Sequence, residues 1–346
     1  MVSDGKLPDP GTIADTDLNP MNQDEFILGV QKALSKQLIV GAKVTYRKIN
    51  AGMDDYCDHT RIADWITANI NPDFVDNLAT CVLMNPGRDL SLKVNLNDDG
   101  KLSPLTIPAS ALGLAKYERT YKSLEFTVER PFDGKWGLQG SYTWSKSQGT
   151  AEGYVQSNLN QEDAGVTQDF DFGSFTDGAK GLLPNDRRHV FKVFGAYQLA
   201  DEWRLGFNGT LASGRPISCI GFVPPTVSDF DGSSGYSSAS AYYCITDPNK
   251  PPSVVPRGTS GTTPWTTNFD LSVAYTPQWA QKKLTLQAAI FNVFDSQKAT
   301  EVNEVRDYSR QESNSTTFPL RQSANYKSPT SFQTPRYVRL TARYEF

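Results

Sequence analysis

Apolar and polar residues alternate along most of this chain. Phe26, Leu28, Val30 and Leu34 form one face of a first run, with Lys32 a misfit close to a turn. Leu38, Val40, Ala42, Val44 and Tyr46 follow, opposed by Lys43, Thr45 and Arg47. Leu124, Phe126 and Val128 alternate with Glu125, Thr127 and Glu129, and Trp136, Leu138, Gly140, Tyr142 and Trp144 alternate with Gln139, Ser141, Thr143 and Ser145. Phe191–Leu199 repeats the pattern opposite Lys192 and Gln198, and Trp203–Leu211 repeats it opposite Arg204, Asn208 and Thr210. Phe269–Tyr275, opposite Asn268, Asp270 and Ser272, and Leu284–Ile290, opposite Thr285 and Gln287, do the same. In the last run Val338, Leu340, Ala342, Tyr344 and the terminal Phe346 alternate with Arg339, Thr341, Arg343 and Glu345. Period two predicts strands with one apolar and one polar face. Each run is long enough for a tilted strand to cross a bilayer. Charges on the polar face suit a wet lumen better than a packed core.

The connections sharpen this reading. Ser35–Gln37, Pro131–Lys135, Ala200–Glu202 and Pro277–Lys283 are short, whereas 50–116, 146–189, 214–266 and 292–335 are long. Loops of that length are uncommon in compact soluble domains. Short turns at one end and long loops at the other match outer-membrane barrels, whose long loops face outside. The fold class expected is all-β, an antiparallel transmembrane β-barrel portion of about nine strands with short periplasmic turns. Trp136, Trp203 and Trp279 fall at the short-turn end, as an aromatic belt requires. Trp144 and Tyr46 end upward strands and suit the other interface. Lys43, Arg47, Lys192, Arg204, Asp270, Arg339 and Arg343 are expected to face the lumen.

Composition adds limits. The 346 residues are 38% hydrophobic with a formal net charge of −4, a globular rather than disordered balance. No stretch approaches the length of a membrane helix, which leaves strand crossing open. The acidity and the lack of a basic, aromatic-interleaved patch argue against nucleic acid as a partner. Cys57 and Cys81 lie in one long loop, and Cys219 and Cys244 in another. Facing outward, they meet an oxidising environment and are expected to form local disulfides. Each would contribute about 3 kcal/mol in the chain-entropy model. Zinc is disfavoured, because the spacing is not Cys-x-x-Cys and only His59 is near. Residues 1–25 carry no secretory-signal pattern. Nine strands ending in the periplasm place the start of the first strand outside, so further strands are expected ahead of it. Residues 1–21 then read as an extracellular loop remnant, and 22–346 as the C-terminal portion of a barrel.

Several motifs sit at strand ends. They are Glu129-Arg130-Pro131-Phe132, Tyr142-Thr143-Trp144-Ser145-Lys146, Leu183-Pro184-Asn185-Asp186-Arg187-Arg188-His189-Val190-Phe191, Ser213-Gly214-Arg215-Pro216-Ile217, Phe291-Asn292-Val293-Phe294-Asp295 and the Tyr344-Glu345-Phe346 end. In order and position they resemble the C-terminal barrel of TonB-dependent outer-membrane receptors, in particular the Oar-like group. The resemblance implies a 22-stranded barrel with an N-terminal plug, in the outer membrane of a Gram-negative bacterium. It also implies that Val338, Leu340, Ala342, Tyr344 and Phe346 form a signal for the barrel-assembly machinery. The other implied partners are outer-membrane lipid, the missing N-terminal barrel and plug, TonB through that missing part, and an external ligand that the sequence does not name.

Enzyme signals are thin. No His-Glu-x-x-His, P-loop or nucleophile elbow is present, and no cofactor or metal is expected. His189, after Asp186, Arg187 and Arg188, reads as part of a polar cluster at the rim. Asp169, Asp171 and Asp177 form an acidic loop of the kind that can hold calcium, although the spacing is not an EF-hand. Asp98-Asp99-Gly100 reads as a hairpin turn with Leu90, Leu92 and Val94 on one arm. Tyr236, Tyr242 and Tyr243 lie in a loop suited either to ligand contact or to plain solvation. A receptor for uptake is the first reading. A surface adhesin or structural barrel is the alternative, and a soluble secreted β-protein is the third.

Overall fold

The computed structural model describes residues 7–224, 241–247, 250, 252–306 and 323–346. Nine long strands follow the nine alternating runs. They are β1 (Asn22–Ser35), β2 (Leu38–Ala51), β3 (Arg119–Arg130), β4 (Trp136–Gly149), β5 (His189–Ala200), β6 (Trp203–Ala212), β7 (Thr266–Tyr275), β8 (Leu284–Phe291) and β9 (Tyr337–Tyr344). They pair antiparallel in chain order from β1 to β9, with the two-residue strand Gly181–Leu182 added beside β4. Among the described residues β1 and β9 do not pair with each other, so the sheet has two open edges.

The register keeps each face uniform. Leu28 opposes Val44, Val44 opposes Leu124, and Leu124 opposes Trp144. Phe126, Tyr142, Phe191 and Leu211 form a second such row. A slip by one residue would turn every one of these side chains to the other face. This apolar face is uncovered: Leu28 is 64% exposed and Leu340 78%. An uncovered apolar face of this extent marks a membrane or protein contact and not a surface that faces water. No helix among the described residues is long and apolar enough to cross a membrane.

The hydrophobic core lies elsewhere, in the long loops. The first, between β2 and β3, folds as a small unit with a helix, α1 (His59–Asn69), and two strand pairs, Asp54–Tyr56 with Val82–Met84 and Leu90–Val94 with Ser103–Ile107. Asp58 caps α1 by accepting from the Arg61 backbone N–H at 3.1 Å, which satisfies one of the donors left open at a helix start. Tyr56, Ile62, Ile66, Val82, Met84, Leu90, Leu92 and Ile107 close over one another at no more than 1% exposure. The hairpin expected at Asp98–Gly100 is present, with Asp98 and Gly100 at positive φ. The helix was not expected from the sequence pattern.

The described part of the N-terminal segment joins this unit. Asp9 pairs with Lys93 at 2.9 Å, and the Asp15 and Thr16 backbone N–H groups donate to Leu83 and Ser91 carbonyls. Disulfides link Cys57 to Cys81 and Cys219 to Cys244. Phe172, Phe175, Val223, Ala241 and Tyr243 pack around Cys57 and join the first, second and third long loops in one cluster.

Candidate ligand-binding and lumen surfaces

The polar face of the sheet carries the charged residues singled out by alternation. Lys43 pairs with its cross-strand neighbour Glu125 at 2.8 Å, and Arg47 with Glu25 at 2.5 Å. Opposite charges directly across a strand pair stabilise the pairing modestly. Asp270 accepts from the Asn292 backbone at 2.9 Å and faces Asn208 at 3.4 Å. Arg339 lies 5.0 Å over the Phe291 ring, Arg204 lies 4.8 Å over Phe132, and Arg343 meets Glu345 at 3.1 Å. Lys192 stands between Ser141 and Thr210 in register. Gly206, Ser272 and Ala289 leave a depression of about 270 Å³ between Asn208 and Asp270 on one side and Arg339 on the other.

At the short-turn end Arg130 stacks 3.7 Å over Trp136, Trp203 stacks on Tyr275 at 4.6 Å, and Trp279 sits in the Pro277–Lys283 turn. Asp133 shapes the preceding turn. Its carboxylate takes Arg130 at 2.6 Å and the Lys135 and Trp136 backbone N–H groups, contacts that hold its pKa well below the usual range. In the final strand Val338, Leu340, Ala342 and Tyr344 lie opposite Ile290, Ala288, Leu286 and Leu284. Phe346 extends past the strand, its ring 5.4 Å from Tyr344.

At the long-loop end the second and fourth long loops together line a polar cavity of about 1300 Å³. Asn158, Asn160 and Gln161 come from one loop, and Glu301, Asn303 and Asn325 from the other. Arg215 closes it from the third loop. Its guanidinium bridges Glu301 and Glu304, the latter at 2.5 Å, and the Ser218 backbone N–H donates to Glu304 at 2.6 Å. Burial pushes the Glu304 carboxyl up, and Arg215 opposes that shift. The Ser213-Gly214-Arg215-Pro216 motif makes this approach feasible, because a Cβ at Gly214 would lie 1.6 Å from the Thr263 carbonyl oxygen. Alternation could not reveal the Arg215–Glu304 pair. Its members are separated by 89 positions and neither lies on a sheet strand.

A second buried network ties the loops together. Asp169 pairs with Arg257 at 2.5 Å, and Arg257 also donates to the Tyr242 hydroxyl. Asp54 accepts from the Thr167 backbone and hydroxyl, both at 2.7 Å. Burial, with smaller contributions from Asp169 and Asp55, pushes the Asp54 carboxyl up to about 8. Tyr242 is therefore neither a solvated loop residue nor a ligand contact, since it is 1% exposed. Tyr243 is buried as well and donates to Asp177 at 2.5 Å. Tyr236 lies outside the described residues. The calcium reading of Asp169, Asp171 and Asp177 also fails. Arg257 takes Asp169, Tyr243 takes Asp177, and the three carboxylates do not converge. The group with metal-compatible proximity, Asp55, Cys57 and Cys81, has its two sulfurs bonded to each other. At the rim His189 Nδ1 meets the Tyr142 hydroxyl at 2.9 Å and stacks on Trp265, so it is held in a polar and aromatic cluster. His59 pairs with Asp76 at 2.8 Å in the first long loop, far in sequence from these residues.

No family model matches the chain. The TonB-dependent transporter Oar of Myxococcus xanthus is 22% identical over 363 aligned positions, which cover 97% of this chain and 29% of that protein. The chain thus spans less than a third of the length of the relative it matches. Among solved structures, the outer membrane transporter YddB of Escherichia coli overlays 95% of this chain and 33% of its own at 13% identity and a TM-score of 0.46. The FrpB iron transporter of Neisseria meningitidis overlays 96% and 33% at 10% identity and a TM-score of 0.46. The chain resembles TonB-dependent outer-membrane receptors of the Oar-like group, which fits its antiparallel sheet with one apolar and one charged face.

Proposed function

We propose that this chain supplies barrel wall and outer loops to a TonB-dependent receptor that binds an external ligand and admits it through the lumen. The observation that carries this reading is the 1300 Å³ cavity among the outer loops. Its amide and hydroxyl lining, with the paired Arg215 and Glu301 at one side, offers many hydrogen-bonding groups to a polar ligand. Ligand pockets fix orientation with a few such convergent groups. The sheet below has a wet, charged face with the Asp270–Arg339 depression, a second set of contacts along a lumen path. The open edges of β1 and β9 call for partner strands, because unpaired backbone groups in the bilayer cost several kcal/mol each. In this reading the remaining strands, a plug and the TonB contact come from the part of the relative's length that this chain does not match. No catalytic role is assigned.

The test is uptake. Cells expressing the protein would be compared with deletion cells on limiting ferric chelate, vitamin, oligosaccharide or peptide, with and without a working TonB complex. The expected result is a growth defect on one nutrient that appears in the deletion and equally on loss of TonB. A deletion that changes only attachment to surfaces or cells, independent of TonB, would instead establish the adhesin reading. That reading is favoured by one observation, the first long loop's own hydrophobic core, which makes it a stiff platform.

A further inference from the structure

The chemistry of the outer cavity narrows its ligand. At about 1300 Å³ the cavity exceeds the roughly 300–1,000 Å³ of ordinary small-molecule pockets, so it has room for an oligomer. No aromatic side chain lines it among the described residues, which leaves a flat ring without a stacking surface. Carboxamides line it instead. Asn158, Asn160 and Gln161 stand on the second long loop, and Asn303 and Asn325 on the fourth. Each carboxamide offers donors and an acceptor, the complement of the N–H and C=O that peptide units carry.

The fourth loop adds backbone. Its strands Ala299–Val302 and Pro329–Phe332 pair with each other and, among the described residues, with no other strand. Residues 328–331 line the cavity in unbroken succession. Successive side chains on a strand point to opposite faces, so a lining that takes four in turn meets the edge of the strand and not one face. All four residues of Pro329–Phe332 are exposed. An open edge accepts a further extended chain through main-chain hydrogen bonds.

The charges are one-sided. Among the described residues the cation in the lining is Arg215, and it is already held between Glu301 and Glu304. Glu162 and Asp163, on the second-loop wall, are exposed and have no ion-pair partner among the described residues. An anionic ligand would meet them as like charges, whereas a cation is drawn in. Arg215 is 3% exposed, and its Nε–H has no acceptor among the described residues. Buried donors are as a rule hydrogen-bonded, and a ligand carbonyl would supply the acceptor.

We propose that this cavity binds an extended, cationic peptide, its backbone on the carboxamides and the open edge of Pro329–Phe332 and a lysine or arginine side chain at Glu162 and Asp163. The inference rests on the receptor reading, whose ligand class it names.

The test uses the protein purified from outer membranes in detergent, with synthetic hexapeptides as probes. One carries two lysines, and the others carry glutamates or glutamines at the same positions. Maltohexaose is the non-peptide control, and calorimetric titration reads affinity. The lysine peptide should bind at least tenfold tighter than the glutamate peptide, and N-methylation of its alternate backbone amides should weaken it tenfold or more. The double variant Glu162→Gln, Asp163→Asn should lose tenfold or more for the lysine peptide and keep its affinity for the glutamine peptide. Glu162→Lys with Asp163→Lys should reverse the order of the two charged peptides, with circular dichroism of the sheet unchanged. Equal binding of the lysine and glutamate peptides, or unchanged affinity in the double variant, would overturn the proposal. A TonB-dependent growth defect on a chelate or sugar, with maltohexaose or no probe bound in place of peptide, would sink it while leaving the receptor reading standing. Peptide binding in the expected order without TonB-dependent uptake would support the site and remove the receptor reading.

Discussion

The sheet and the outer loops of this molecule bury opposite things. The nine-stranded sheet leaves Leu28, Phe126, Leu271 and Leu340 exposed and carries charges such as Lys43, Glu125 and Arg339 on the other face, so it has no core of its own. The first outer loop does the reverse, gathering Ile62, Ile66, Met84, Leu90 and Leu92 away from solvent. One chain thus follows two solvent rules within about a hundred residues. The difference teaches that exposure of an apolar residue has no fixed meaning until the surrounding medium is known. In the loops, burial excludes water. In the sheet, a lipid environment would take the place of a packing partner, and the hydrogen-bonded ladder satisfies the backbone.

The contrast can be broken most strongly at the buried ion pair. Glu304→Ala leaves Arg215 buried without its 2.5 Å partner, and losing one member of such a pair costs about 3–5 kcal/mol. Hydrogen exchange should show faster opening of the third and fourth long loops while β6–β8 remain protected. Equal loss of protection in the strands would mean that the loops and sheet are one cooperative unit. Ile66→Ala, at a position with no exposure, should destabilise the first loop by about 2–5 kcal/mol. Limited proteolysis within 52–118 would report this before any change in the sheet.

Leu271→Arg tests the other side of the comparison. Leu271 is 42% exposed and sits in the middle of β7. In water the change would be nearly neutral, whereas near a bilayer midplane it costs about 2–4 kcal/mol. Chemical unfolding in lipid vesicles measures which medium this face meets.

The last effect expected is a pH slope. Asp54 has a folded pKa raised to about 8 by burial, against an unfolded value of about 4. Between these values the folded state holds a proton that the unfolded state has released, so stability falls as pH rises through that window and levels off above 8. Asp54→Asn keeps an acceptor for the Thr167 backbone and a donor for its hydroxyl. It should flatten the slope of loop stability from pH 4 to 8, read by hydrogen exchange or proteolysis at several pH values. An unchanged slope would locate the titration elsewhere.

Much of the sheet was legible from local pattern. Phe126, Leu124 and Val128 alternate with Glu125 and Thr127, and no soluble packing partner has to be known to assign their faces. Even the Lys43–Glu125 and Arg47–Glu25 contacts follow once the neighbouring strands and their register are set. The outer layer was not legible in the same way. Helix α1 is a run of only 11 residues inside a loop, and its apolar stripe of Ile62 and Ile66 makes sense only against Val82, Leu90 and Leu92. The polar cavity needs residues from three loops, and Tyr242 is buried only because Arg257 and Asp169 meet it there.

The sequence by itself determined the strand count, the two faces, and the asymmetry of short turns and long loops, because each depends on neighbours one or two residues apart. Only the tertiary structure decided that the long loops have a core, that Arg215 joins Glu301 to Glu304, and that Glu162 and Asp163 line one cavity with residues 328–331. Those features depend on residues brought together across tens of positions, where burial and charge compensation, and not local periodicity, select the arrangement.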